Sequence, residues 1–147
     1  MIIFLLPILF GQIEEEHLRT ITSIKIAELT QLLELDDEQI AKIIPMVREL
    51  ERLRFDFHRK KRRMIEELRI ILKTEPDEKL LREKLSQLKK MRIEFIKKEG
   101  ELKDRIEQLL SLEQRVKFVI FQDEFEQRLR RLIRRIREPG RIFHPGP

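Results

Sequence analysis

Apolar residues recur at helical spacing in four stretches of the chain, each followed by a charged or turn-forming break. The first stretch covers roughly residues 13–33, with Leu18, Ile21, Ile24 or Ile26, Leu29, Leu32 and Leu33 on one side. The second runs from about Asp37 to Lys73 through Ile40, Ile43, Ile44, Val47, Leu50, Leu53 or Arg54, Phe57, Met64, Leu68 and Leu72. At 1.5 Å per residue this helix would be roughly 55 Å long. Pro45 lies inside it with the pattern in phase on both sides, which predicts a kink rather than a break. Thr74-Glu75-Pro76-Asp77 reads as a loop. The third helix is expected over Asp77–Leu109, where Leu81, Leu88, Phe95, Leu102 and Leu109 fall seven apart. Leu85 and Ile106 would complete the seam, with Arg92 and Glu99 interrupting it, so loose coiled-coil packing is expected. The fourth helix carries Phe118, Phe121, Phe125, Leu129, Leu132, Ile133 and Ile136 and stops near Glu138, before Pro139-Gly140.

These stripes are narrow for such long helices. A compact bundle wants three or four apolar residues per two turns. The pattern therefore predicts an all-α fold of four long helices in a thin, elongated layer that completes its core by dimerising.

The N-terminal run Met1–Phe10 holds nine apolar residues and a proline. It is too short to span a bilayer but matches the apolar region of a secretory signal. No Lys or Arg precedes it, and cleavage after Gly11 would leave Leu9 at the −3 position. The signal reading makes residues 1–11 the leader, 12–138 the helical domain and 139–147 a disordered tail. The mature protein would then be periplasmic. The alternative is a packing segment of a cytoplasmic coiled-coil adaptor.

Composition narrows the functions. Charged residues make up 40% of the chain, 32 basic against 27 acidic, giving a net charge of +5 and a pI near 9.6. No cysteine is present, which excludes disulfides, thiolate metal sites and cysteine nucleophiles. Four glycines leave no phosphate-cradling loop. The carboxylates sit at helical surface positions beside Lys or Arg, and no nucleophile–base pair follows from spacing, so an enzyme is not expected.

Two segments share one pattern. Leu35-Asp36-Asp37-Glu38-Gln39 aligns with Leu110-Ser111-Leu112-Glu113-Gln114. In each, a capping residue is followed three positions later by Gln, the spacing of a capping box. With this repeat the chain resembles the periplasmic Leu-Thr-x-x-Gln family, which includes Spy and CpxP, zinc-resistance-associated proteins and heavy-metal sensors. Asp36 and Ser111 stand where the family has Thr, and both can cap a helix. The resemblance covers about residues 18–135. It implies a thin Spy-like cradle built by an antiparallel homodimer. It also implies ATP-independent chaperoning of unfolded envelope proteins, or metal sensing or stress signalling in other branches.

Residues 52–63 form the most distinctive charge cluster, with Phe55 and Phe57 interleaved. Charge attracts unfolded chains from a distance and apolar groups hold them at short range. Arg54, Phe57, Arg59, Lys60, Arg63 and Met64 are the candidate client-binding residues. Leu35, Asp36, Gln39, Leu110, Ser111 and Gln114 are the candidate capping residues. Basic residues near aromatics could also meet nucleic acid, but no nucleic-acid-binding motif accompanies them and export would separate the two. The block Arg128–Arg137 is amphipathic and could touch anionic lipid, though a core stripe with a basic rim explains the same spacing. No cofactor is expected. Weak zinc binding would fall to His17 and Glu14, but Ile21 occupies the position where a second helical His ligand would sit.

Overall fold

A computed structural model describes residues 6–74 and 76–137, with side chains placed over 14–74 and 76–135. All regular structure among these residues is helical: α1 (Leu6–Leu33), α2 (Asp37–Thr74), α3 (Glu78–Glu107) and α4 (Leu112–Arg137). Helix α1 starts earlier than the expected Ile13. Pro7 falls in its first turn, where a backbone N–H has no helical acceptor to lose. Residues 1–5 and the predicted tail 139–147 lie outside the described residues. Among the described residues, no helix is long and apolar enough to cross a membrane.

Each helix end has a local cause. At the end of α1, Glu34 takes a left-handed conformation with φ of 50°. The Leu35 amide then donates to Thr30 O and the Glu34 amide to Gln31 O, both at 3.3 Å. This is the Schellman arrangement, and it buries Leu35 against the core. Asp77 starts α3 by accepting from the amides of Lys79 (3.0 Å) and Leu80 (3.4 Å). Helix α2 runs unbroken through Pro45.

The core lies at one end of the molecule. Leu29, Leu33 and Leu35 meet Ile43, Met46, Val47 and Leu50 from α2, Leu102, Ile106 and Leu110 from α3 and its C-terminal turn, and Phe118, Phe121 and Phe125 from α4. Past it, Phe57 stacks on Phe95 with ring centres 4.1 Å apart. From His58 to Glu101 no described residue is buried. There α2 and α3 form a two-helix arm, with α1 and α4 also meeting its base at His58 and Arg62.

Several stripe positions depart from the sequence reading. Leu32, Leu72, Leu132 and Ile133 are exposed, and of the alternatives Ile24 and Ile26 it is Ile26 that packs on the core. Leu85 is 58% exposed, so the second side of the α3 seam does not run through it. Lys84 and Met91 are half-buried instead, and Lys84 reaches Glu67 at 2.6 Å. With a single partner helix, only one narrow strip of α3 is covered, and the register shifts by one residue to the strip that faces α2.

Candidate functional site

The two motif copies meet in space. Within each, the capping residue and Gln exchange bonds: the Gln39 amide donates to Asp36 Oδ1 (2.7 Å) and the Asp36 amide to Gln39 Oε1 (3.2 Å). The Gln114 amide donates to Ser111 Oγ (3.2 Å) and the Ser111 amide to Gln114 Oε1 (2.9 Å). The two side-chain amides then bond to each other, at 2.8 and 3.1 Å. Gln39 Nε2 also donates to Leu109 O (2.9 Å), beyond the end of α3, and Gln114 Nε2 to Leu33 O (3.0 Å), at the end of α1. Each Gln thus caps its own helix start and the helix end of the other copy. Leu35 and Leu110 occupy equivalent buried positions beneath.

The basic cluster divides by helix face. Arg54 and Phe57 point into the packing. Arg54 binds Glu51 (3.1 Å), Glu99 (3.2 Å) and Gln122 Oε1 (3.1 Å). Arg52 makes a two-bond pair with Glu15 (2.6 and 2.9 Å). Arg59 lies near Asp56 (3.8 Å) and over the Phe55 ring. Lys60 and Arg63 are exposed, and Met64 is half-buried. Among the described residues, neither Lys60 nor Arg63 has a carboxylate within 4.0 Å. The six candidate client-binding residues therefore lie on both sides of α2.

The charge balance of the arm is distinctive. Residues 58–101 hold fifteen Lys or Arg residues against nine Asp or Glu, more than the whole net charge of the chain. Six large apolar side chains are exposed on the same arm: Ile70, Leu72, Leu80, Leu85, Ile93 and Ile96.

A second feature escaped the sequence reading. Lys25 is 1% exposed and binds Glu51 at 2.5 Å, with its ammonium 5.2 Å from the Phe125 ring centre. Glu51 bridges it to Arg54, which continues to Glu99 and Lys103 (2.8 Å). Burial pushes the Lys25 ammonium below its ordinary pKa; Glu51 opposes this and Arg54 adds to it. Burial would raise the Glu99 carboxyl, but a hydrogen bond from Lys103 and the charge of Arg54 hold it below its usual value. Partial desolvation beside Phe57 and Phe95, then the charges of Lys61 and Arg62, lower the His58 imidazole. The available signal was register: Lys25 sits four residues from both Ile21 and Leu29, inside the apolar stripe.

Lys25, Glu51 and Arg54 of this network floor a cavity of about 340 Å³ between α1, α2 and α4. Leu18, Ile21, Phe55, Phe125, Leu129 and Ile133 form its apolar walls. His17 stands at this cavity, while Glu14 faces Arg62 at 3.7 Å. Among the described residues, no three His, Asp or Glu side chains converge as metal ligands.

Comparison with protein-family models, with curated proteins and with solved structures found no match to this chain.

Proposed function

We propose that this protein is an ATP-independent chaperone that holds unfolded chains on the α2–α3 arm. The observation that carries the reading is the arm itself: a strongly basic surface, studded with exposed Leu and Ile, over a segment with no buried residue among those described. Lys and Arg raise the encounter rate with unfolded clients without demanding a sequence, and the scattered apolar groups supply short-range affinity. Lys60, Arg63 and Met64 stand at its base, and the flexible Met adapts to varied partners.

The reading includes export to the periplasm and an antiparallel homodimer in which two arms line one cradle. The apolar N-terminal run and the thin single-chain core support these two parts. The test is light scattering from a reduced or denatured client without nucleotide. Stoichiometric protein should suppress aggregation. Lys60→Glu with Arg63→Glu should weaken suppression most at low salt, and Ile93→Ser with Ile96→Ser at all salt concentrations. Absence of suppression by the intact protein would refute the reading.

A further inference from the structure

The cavity between α1, α2 and α4 couples apolar walls to a base that carries more positive charge and more hydrogen-bond donors than its partners use. At the base Lys25 and Arg54 share Glu51, and at the rim Arg130 pairs with Glu126 at 3.5 Å, so the lining holds three cations and two carboxylates. Lys25 spends one of its three donors on Glu51. Arg54 gives Nε and one Nη to Glu99, Glu51 and Gln122. Behind it, the buried amide nitrogen of Gln122 has no acceptor. Lys25, Glu51 and Arg54 are the deep groups, with side chains 2%, 12% and 11% exposed. The exposed His17, His58, Glu126 and Arg130 ring the opening.

Buried charge that is not fully paired is costly, and an added carboxylate relieves it. The volume lies at the low end of the roughly 300–1,000 Å³ typical of small-molecule sites. We propose that this cavity binds a small amphiphile with one carboxylate, such as a medium-chain fatty acid. The carboxylate sits between Lys25 and Arg54, and the chain lies along Leu18, Ile21, Phe55, Leu129 and Ile133. Only His58 is shared with the arm, so the site stands or falls apart from client binding.

Calorimetric titration of the full chain with decanoate, decanol and decyltrimethylammonium, all below micelle-forming concentrations, tests it. Decanoate should bind once per chain, decanol about tenfold more weakly because its neutral hydroxyl accepts from Lys25 and Arg54 without the carboxylate's charge, and the cation not at all. Lys25→Met should reduce decanoate binding to the decanol level and leave decanol unchanged, a split that general misfolding would not produce. Leu129→Trp, the sole Trp in this sequence, should fill the cavity and abolish binding, with its emission reporting a packed site. Equal affinity for decanoate and decanol, tighter binding of the cation, or equal loss of both ligands in Lys25→Met would overturn the proposal. So would binding to phosphatidylglycerol vesicles without binding of decanoate.

Discussion

Around Gln39 and Gln114, all four helices converge and bury thirteen apolar side chains. Along the arm beyond its base, α2 and α3 cover a single strip of each other. The residues available are much the same in both places, since Leu and Ile recur at helical spacing throughout. The number of neighbours differs. A helix flanked by several others can bury a whole face, and a helix with one neighbour leaves the remainder of its apolar residues in water. The motif end is thus where stability resides, and the arm is where surface is presented. Segments with few buried apolar contacts also open at lower free energy.

The largest expected effect comes from the core. Phe118→Ala, at a position 1% exposed, should cost about 3–5 kcal/mol in urea unfolding. The same truncation of half-buried Leu88 on the arm should cost well under half of that. Equal losses would break the contrast between the two regions. Next come the glutamines. Gln39→Ala should cost about 2 kcal/mol, because the Asp36 amide, Leu109 O and Gln114 all lose a partner. A double-mutant cycle with Gln114→Ala should show coupling of about 1 kcal/mol or more, whereas independent caps would simply add.

Acidification should act where the arm joins the core. The unfolded chain protonates His58 near its ordinary value of 6.5, but the folded chain does so only at lower pH. Stability therefore falls as pH drops from 6.5 to the lowered value and is then flat for this group. Glu99 repeats the sign from 4.5 downward: its stabilisation is complete above that value and lost as pH falls through its lowered pKa. Urea midpoints from pH 7 down to about pH 2 measure both, and His58→Gln should remove the upper step alone.

The smallest effects are two glycine exchanges, one in each region. Glu34→Gly should stabilise by about 0.5–1 kcal/mol, because the left-handed conformation at φ 50° penalises a side chain. Gly100→Ala should also stabilise by about 0.5–1 kcal/mol, because a Cβ there would meet nothing within 4 Å. Thermal melts of the two variants measure these gains.

Sequence alone determined four helices, their breaks and the bonds inside each capping box, because these depend on residues three or four positions apart. It also placed Leu81, Leu88 and Phe95 on the strip that faces α2, since a seven-residue period is a local property. Tertiary structure decided what depends on neighbours distant in the chain. It brought Gln39 to Gln114, 75 positions away, so that two local caps became one shared lock. It turned Arg54 inward to Glu99 and Gln122, and it surrounded Lys25 with Glu51 and Phe125. Helical spacing assigns a residue to a face of its helix. Whether that face meets another helix, a counter-charge or water is fixed only when the other helices are in place.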